Sequence, residues 1–178
     1  MKLVIQRVTS ASVTVGGEIV GAIKNGLCVL IGVNRNDSLS DAQFLAKKLL
    51  SIKLFEDTEG SHWKKSVKDL DYELLCVSQF TLHARTNKGA KPDFHISMKG
   101  DESKKLYENF LETIRTFYKS EKVQSGVFGS KMSVNLVNDG PVTILLDSPS
   151  EKDDQSSKSN TENRPTVSQD NCTSEMVS

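Results

Sequence analysis

Cysteine is scarce in this chain, and long apolar runs are missing. The 178 residues contain three cysteines, Cys28, Cys76 and Cys172, with no CxxC pair among them, so neither a disulfide framework nor a zinc site is predicted. Cys28 and Cys76 lie in apolar runs and are predicted to be buried thiols. No segment approaches the roughly 20 apolar residues of a membrane span, and the amino terminus begins as a strand without an apolar leader. We therefore expect an intracellular protein with no metal, no cofactor and no membrane contact.

An excess of charge of one sign is also missing. The chain carries 23 basic and 23 acidic residues, so no global basic field indicates nucleic acid. The balance hides an asymmetry, because the part after Ser148 holds three basic and six acidic residues and leaves 20 basic and 17 acidic residues in the body. A body of this kind could meet a phosphate backbone, but an excess of three does not by itself predict that it does.

The last thirty residues differ in composition from the rest. Residues 149–178 are rich in Ser, Asn, Thr, Asp, Glu and Lys and contain no aromatic residue. Such a segment cannot bury enough apolar surface to offset the entropy lost on ordering, so it is predicted to be disordered. Residues 1–148 are long enough for one domain with its own core.

The apolar periodicity of the body predicts an α+β fold. The first 34 residues contain three or four short strands joined by Gly16-Gly17 and Asn25-Gly26, which are hairpin-turn dipeptides, so we expect an antiparallel meander. Ser38–Asp41 resembles a capping box that begins a helix with an apolar stripe. A second amphipathic helix is expected from Asp101 to about residue 119. The prediction is a mainly antiparallel, barrel-like sheet with two packed helices.

One predicted strand changes character abruptly at its end. Leu74-Leu75-Cys76-Val77 is a continuous apolar run, which is typical of a strand buried on both faces. Ser78, Gln79 and Thr81 then place two hydroxyls and an amide at its carboxyl end. Buried polar groups need partners, so this cluster either satisfies itself in a loop or faces a cavity where a ligand does so.

The loop after Leu82 is basic and carries an aromatic residue. It contains Arg85, Lys88, Lys91 and Phe94, which together could hold the end of a nucleic acid, whereas the alternative is a solvated surface loop. Its two histidines have no third ligand at a matching spacing, so a metal site is not favoured.

A second polar motif lies near the end of the predicted core. Residues 132–137 alternate as a strand, and Asn138-Asp139-Gly140-Pro141-Val142-Thr143 follows. Asp-Gly-Pro predicts a turn between two strands. Only about 5–6% of X-Pro bonds in folded proteins are cis, so the spacing alone predicts a trans bond at Pro141.

Taken together, these segments resemble a known family. Ser78-Gln79-Phe80-Thr81-Leu82 and residues 138–143, with Ile5–Val8 and residues 91–95, closely resemble the D-aminoacyl-tRNA deacylases. The resemblance extends from Met1 to about Ser148 and does not cover the tail. Either motif alone is weak evidence, but both in this order, roughly sixty residues apart, are strong evidence.

The resemblance implies a homodimeric enzyme of translation quality control. Such enzymes hydrolyse the ester that joins a D-amino acid to the 3′-terminal adenosine of a tRNA, and they also accept glycine mischarged on tRNA-Ala. Their pocket lies at the subunit interface, where the Ser78–Thr81 segment of one subunit meets Gly140-Pro141 of the other. The Gly-Pro bond of the family is cis, and its carbonyls exclude an L side chain. The implied substrate-binding residues are Asn138, Thr143, Met132, Arg7, Lys91 and Phe94.

The chemistry of the substrate is consistent with this implication. An aminoacyl ester is already activated, and its 2′-hydroxyl can assist attack, so a strong protein base is unnecessary. The sequence offers no G-x-S-x-G elbow and no defensible Ser/His/Asp set. We therefore expect backbone N–H groups around Phe80 and Thr81 to stabilise the oxyanion, with Ser78 and Gln79 as positioning residues. The alternative is Thr81 as a nucleophile, although its hydroxyl is weak without a nearby base.

Two other functions remain open. One is a nucleic-acid-binding, replication-associated scaffold whose Ser/Thr-rich tail recruits DNA or protein partners, and some deacylase relatives are linked to DNA replication in the nucleus. The other is a sister branch of deacylases that removes L-alanine from the wrong tRNA. The sequence Ser78-Gln79-Phe80-Thr81 together with Gly140-Pro141 favours the D-specific branch. We expect action in the cytoplasm, with the nucleus as a second location for any replication role.

Overall fold

Six strands and two helices build the part of the chain that the computed structural model describes, residues 1–87 and 89–149. The strands are β1 (Lys2–Val15), β2 (Glu18–Ile23), β3 (Gly26–Gly32), β4 (Glu73–Ser78), β5 (Val123–Ser125) and β6 (Ser133–Asp147), and the helices are α1 (Leu39–Ser51) and α2 (Gly100–Phe117). The strands form one mixed sheet that curls into a nearly closed barrel. The predicted α+β class is confirmed.

The amino-terminal strands form one long hairpin instead of a meander. β2 and β3 both pair antiparallel with β1. The pairs Val8↔Gly26 and Ala11↔Ile23 have the same register, so β2 and β3 lie one after the other along the same edge of β1. The prediction of a hairpin turn at Asn25-Gly26 is therefore wrong, because these residues only interrupt a strand that runs back along β1. Gly26 is required for another reason, since a Cβ there would lie 1.9 Å from the carbonyl oxygen of Glu73.

Two of the strand pairs are parallel, so the expectation of a mainly antiparallel sheet holds for only part of it. β3 pairs parallel with β4, and β4 pairs parallel with β5. Parallel neighbours need a crossover connection, and α1 and α2 supply it between successive strands. β4 is thus a central strand, and Leu74–Val77 are at most 1% exposed, which confirms the prediction of burial on both faces.

α1 begins at its predicted start, and α2 begins and ends within two residues of its predicted limits. Asp41 Oδ2 accepts a hydrogen bond from the backbone N–H of Ser38 at 2.9 Å, which is half of the predicted capping box. The stripes of α1 and α2 pack into the larger of two core clusters. The smaller cluster includes Cys28. Cys28 and Cys76 are both buried, which confirms the prediction of buried thiols. Burial raises the pKa of the Cys28 thiol to about 11 and that of Cys76 to about 12.

β6 runs without interruption through the segment that was predicted to be a turn. Its fifteen residues pair with β1 from Lys2↔Asp147 to Thr14↔Ser133, and the register shifts between Gln6 and Ser10. The Asp-Gly-Pro sequence is therefore accommodated by an irregularity in the ladder, and the turn prediction is wrong. No residue of β6 is buried, and Val137 and Leu145 remain 58% and 65% exposed.

Some predictions are not tested by this structure. Residues 150–178 lie outside the described part of the chain, so the boundary at 148 and the disorder of the tail stay predictions. The homodimer also stays a prediction. Within residues 1–87 and 89–149, no helix has the length and apolar character to span a membrane, and no three His, Cys, Asp or Glu side chains form a group that could hold a metal ion.

Candidate active site

The polar cluster after β4 lies where the strand turns into a short 3-10 helix. The backbone N–H of Gln79 donates to the carbonyl oxygen of Ile31 at 2.7 Å and extends the pairing with β3 by one residue. Residues Phe80–His83 then form the 3-10 helix. The chain thus leaves the sheet immediately after Ser78, and the residues of the motif emerge at the carboxyl end of a central strand.

Gly32 allows this helix to pack directly on the end of β3. A Cβ at Gly32 would lie 2.9 Å from Cβ of Leu82 and 3.2 Å from Cδ2 of His83, so any larger residue would push the 3-10 helix away. His83 is buried, and burial lowers the pKa of its imidazole. Its Nε2 has no hydrogen-bond partner among the described residues.

Two backbone N–H groups at the start of the 3-10 helix are available to a ligand. The first N–H groups of a helix have no acceptor within it. Among the described residues, neither Phe80 nor Thr81 donates a backbone hydrogen bond to another element, whereas Leu82 donates to Gln79 and Ala84 donates to Thr81. Phe80 is 57% exposed and Thr81 is also exposed, so this segment lies at the surface of the chain.

The Gln79 and Thr81 side chains satisfy each other in part. Gln79 Nε2 donates to Thr81 Oγ1 at 2.5 Å, which leaves the hydroxyl hydrogen of Thr81 free to donate. Among the described residues, no carboxylate or imidazole hydrogen-bonds to this hydroxyl. Because an alcohol without a base is a weak nucleophile, the geometry favours Thr81 as a hydrogen-bond donor.

A cavity of about 490 Å³ opens beside this segment. It is bounded by the ends of β3 and β4, the start of α2 and residues 128–134. Its lining includes the predicted residues Ser78, Gln79, Phe80 and Met132, together with Met98, Lys99, Ser103 and Phe128. The structure therefore brings Met132 to the polar strand end, more than fifty positions away in the sequence.

The loop after the 3-10 helix folds back over it. Arg85 and Asp93 exchange two backbone hydrogen bonds of 2.8 Å, and the Phe94 ring packs edge-on against Phe80 with 5.1 Å between centroids. Phe94 therefore lies next to the predicted catalytic segment. Lys91 is exposed and does not line the cavity, so its role in binding tRNA stays a prediction. Lys88 lies outside the described residues.

Arg7 contacts Asp139, the residue that precedes the Gly140-Pro141 bond. The guanidinium is almost fully buried, and its Nε lies 3.0 Å from the Asp139 carboxylate and 3.3 Å from the Asp139 carbonyl oxygen. Its NH1 donates to the carbonyl oxygen of Leu54 at 2.8 Å, and the Phe55 ring lies beneath it at 5.8 Å. The Gly140-Pro141 peptide bond is cis, as the resemblance implies and contrary to the expectation from spacing alone.

Within one chain, the two motifs line different cavities. Asp139 and Arg7 lie on a cleft of about 380 Å³ with Phe55 and Tyr72, and no residue of 138–143 lines the cavity beside Ser78. Asn138 and Thr143 flank the Gly-Pro bond on β6, where Asn138 Nδ2 donates to the Arg7 carbonyl at 3.5 Å and Thr143 pairs with Gln6. A single protomer thus separates the residues that the resemblance brings together.

Several residues of the cavity were not predicted from the sequence. Ser103 is a buried polar residue on the core-facing stripe of α2, which also contains Tyr107 and Phe110. A serine in such a stripe could have indicated a contact with a cavity. Phe128, between Gly126 and Gly129, gave no sequence pattern that separates it from an ordinary turn.

Among the described residues, no histidine or cysteine lines the cavity beside Ser78. Nε2 of His83 is closed to solvent, so it cannot exchange a proton with a substrate in the cavity. His62 and His95 are exposed and pair with Glu56 and Asp93. Since burial raises the pKa values of the thiols of Cys28 and Cys76, neither is a reactive thiolate. Apart from Lys99, the polar side chains that line this largely apolar cavity are neutral, and they include Ser78, Gln79 and Ser103.

Solved structures share both the barrel-like fold and this arrangement of elements. A structure described as "c-Myc DNA Unwinding Element Binding Protein" is 50% identical, has a TM-score of 0.81 and covers 84% of this chain and 100% of its own. Another, described as "Structural Analysis of a probable eukaryotic D-amino acid tRNA deacylase", has a TM-score of 0.71 at 18% identity over 82% of this chain and 98% of its own. The second likeness defines the fold alone.

Sequence relatives specify the class further. The D-aminoacyl-tRNA deacylase of Drosophila melanogaster is 53% identical, and the match covers 86% of this chain and 96% of the relative. The D-aminoacyl-tRNA deacylase of Schizosaccharomyces pombe is 54% identical, and the match covers 83% of this chain and 98% of the relative. D-aminoacyl-tRNA deacylase 1 of Mus musculus is 51% identical, and the match covers 84% of this chain and 71% of the relative. A family model described as D-Tyr-tRNA(Tyr) deacylase matches residues 4–147.

The chain therefore belongs to the D-Tyr-tRNA(Tyr) deacylase family. It is an enzyme of the hydrolase class, a D-aminoacyl-tRNA deacylase. The resemblance inferred from the two motifs is confirmed.

Proposed function

We propose that this deacylase hydrolyses the ester between a D-amino acid, or glycine mischarged on tRNA-Ala, and the 3′-terminal adenosine of tRNA. The observation that carries the proposal is the cavity of about 490 Å³ beside Ser78, Gln79 and Phe80. It offers a polar strand end next to an apolar wall that includes Met132. This combination suits an aminoacylated nucleoside, which has a flat base, a polar ribose and a small acyl group.

Catalysis in this proposal comes from position and from backbone dipoles. The N–H groups of Phe80 and Thr81 have no other acceptor in the described part of the chain, so they can donate to the oxyanion that forms when the ester carbonyl is attacked. The 2′-hydroxyl of the terminal ribose assists the attacking water. Removing a single such donor in other enzymes costs about 10²–10³ in rate, so two donors supply a large share of the acceleration.

Selection against L-amino acids is assigned to the Gly140-Pro141 segment of a second copy. Two features support a second copy. No residue of β6 is buried, and Val137 and Leu145 are largely exposed, which is typical of an apolar face that meets a partner. In addition, one chain keeps Asp139 and Phe80 in separate cavities. A rigid wall of carbonyls from the partner would contact the β-carbon of an L-residue, and glycine, which lacks that carbon, would pass.

The test is deacylation of matched D- and L-aminoacyl-tRNA by the purified protein. We expect rapid release of the D-amino acid and of glycine, and slow release of the L-amino acid. Each tenfold of discrimination corresponds to about 1.4 kcal/mol, which a steric wall can supply several times over. Equal rates on both enantiomers would contradict the proposal. We place this activity in the cytoplasm, where charged tRNA is used.

A second candidate function is favoured by the name of one solved relative. That protein is named as a binder of the c-Myc DNA unwinding element, and a replication-associated role of the present chain, with the nucleus as its location, would act through the tail at 149–178. Removing these residues separates the two functions. Deacylation is expected to survive the truncation, whereas any capture of DNA or protein partners that depends on the tail is expected to be lost.

A further inference from the structure

Ser97 is a buried serine whose hydroxyl reaches the predicted catalytic segment. It is 4% exposed, and its Oγ donates to the carbonyl oxygen of Phe80 at 2.9 Å. Buried hydroxyls normally need a partner, so this contact alone could be structural. The identity of the acceptor gives it a further meaning.

The carbonyl of Phe80 and the N–H of Thr81 belong to the same peptide unit. This unit is planar, so the orientation of its carbonyl oxygen fixes the orientation of its N–H. A hydrogen bond to the oxygen also polarises the unit and strengthens the N–H as a donor. Ser97 therefore acts on the Thr81 amide from the opposite side of the peptide unit.

The segment that carries Ser97 is hydrogen-bonded to the chain just after β3. Met98 N–H donates to the Val33 carbonyl at 2.9 Å, Arg35 N–H donates to the Ile96 carbonyl at 2.9 Å, and Ser97 N–H donates to the Phe94 carbonyl at 3.0 Å. The first two bonds connect the segment to the chain just after β3, and the third closes a turn within the segment. Together they hold the backbone of Ser97 in place.

A second contact from the same segment holds the other side of Phe80. The ring of Phe94 packs edge-on against the ring of Phe80, and such aromatic pairs have a preferred geometry. The segment thus contacts both the backbone and the side chain of the residue whose peptide carries the Thr81 amide.

We propose that Ser97 is a positioning residue for deacylation, holding the Phe80–Thr81 peptide so that the Thr81 N–H points at the developing oxyanion. This inference rests on the proposed function. Ser97 does not touch the substrate, and its effect passes through one peptide unit. Loss of its hydroxyl lowers the rate of the chemical step and leaves substrate binding almost unchanged.

The test compares Ser97→Ala, Ser97→Thr and the control Ser66→Ala in the full chain. Ser66 is a matched control because it is also 4% exposed and its hydroxyl donates to Asp69 at 2.9 Å, away from the cavity. We expect kcat of Ser97→Ala on a D-aminoacyl-tRNA to fall at least about tenfold, less than the roughly 10²–10³ for removal of a donor. KM stays within about twofold, Ser97→Thr recovers most of kcat, and Ser66→Ala keeps the wild-type kcat.

A substrate-free measurement completes the test. In the ¹H–¹⁵N spectrum, the Thr81 amide signal is expected to shift in Ser97→Ala and to stay in place in Ser66→Ala. If Ser97→Ala keeps its kcat while the wild type is active, the role of Ser97 is refuted and the proposed function stands. If kcat and KM change together with a loss of melting temperature far beyond that of Ser66→Ala, Ser97 is only structural. A wild type that is inactive on D-aminoacyl-tRNA would instead refute the proposed function.

Discussion

Replacing Arg7 with methionine should weaken both the fold and the chiral selection. In the folded chain the guanidinium contacts the side chain and carbonyl of Asp139, the carbonyl of Leu54 and the ring of Phe55. These contacts connect the residue preceding Gly140-Pro141 to the loop after α1. Methionine has a similar length and fills the space, but it donates no hydrogen bond.

The loss of stability can be estimated contact by contact. A buried carbonyl left without its donor costs about 1–3 kcal/mol, which applies to Leu54. The Asp139 side chain is 45% exposed, so its ion pair contributes only about 0–1 kcal/mol. The contact with the Phe55 ring adds about 0.5–1 kcal/mol. The three ranges give a total of about 1.5–5 kcal/mol, which corresponds to a melting temperature lower by about 3–20 °C for a domain of this size.

The assay measures melting temperature and the ratio of D- to L-aminoacyl-tRNA cleavage in the same preparations. Arg7→Met should lower the D/L ratio by at least about tenfold, since 1.4 kcal/mol of lost discrimination suffices. Arg7→Lys should lie between, because lysine keeps the charge but not the planar fork. Arg35→Met, at an exposed position on the chain after β3, is the control. A destabilised Arg7→Met protein with an unchanged D/L ratio would refute the role of Arg7 in holding the Gly140-Pro141 segment that excludes L-amino acids.

Three further predictions concern single positions. Phe80→Pro removes one proposed oxyanion donor at the first position of a helix, where proline is tolerated, and should lower kcat by about 10²–10³ in a protein with an unchanged circular dichroism spectrum. Gly140→Ala places a Cβ 2.9 Å from Cγ2 of Val142 at a φ of +116°, so it should lower both the melting temperature and the D/L ratio. An unaffected D/L ratio would contradict the role of the Gly140-Pro141 segment in excluding L-amino acids. Because burial lowers the pKa of folded His83 below its ordinary 6.5, the unfolded state binds more protons below that value. Stability measured by urea unfolding should therefore fall as the pH drops from 7 to 5, and a His83→Leu protein with the same slope would contradict this.

The helices and the buried strand could be predicted because their patterns are local. The capping box at Ser38 and the apolar run before Ser78 depend on neighbours within a few residues. The interpretation of Asn25-Gly26 and Asp139-Gly140-Pro141 as turns was wrong for one reason. In each case the pairing with β1 continues past a turn-forming sequence, and pairing with a distant strand is not visible in local composition.

The two sequence motifs of the candidate site could be predicted, but the other residues that line or support the cavity could not. Ser78, Gln79 and Thr81 stood out because polar residues followed an apolar strand, whereas Phe80 and Met132 followed from the family resemblance. Ser97 was missed because a serine in a loop shows no pattern, and Ser103 was missed although it interrupts the apolar stripe of α2. Their roles depend on the peptide or cavity that lies opposite, which only the folded chain defines.

The most direct test of a site built from two copies is a mixing experiment with two variants. Phe80→Pro is expected to be nearly inactive, and Pro141→Ala is expected to cleave both D- and L-aminoacyl-tRNA. In a mixed dimer, the intact Phe80 segment of one subunit meets the intact Pro141 of the other. Adding excess Phe80→Pro protein, with time for subunit exchange, should therefore suppress L-cleavage by the Pro141→Ala protein and preserve D-cleavage. If L-cleavage is unchanged by mixing, or if the protein is a monomer, the selection against L-amino acids does not come from the Gly140-Pro141 segment of a second copy.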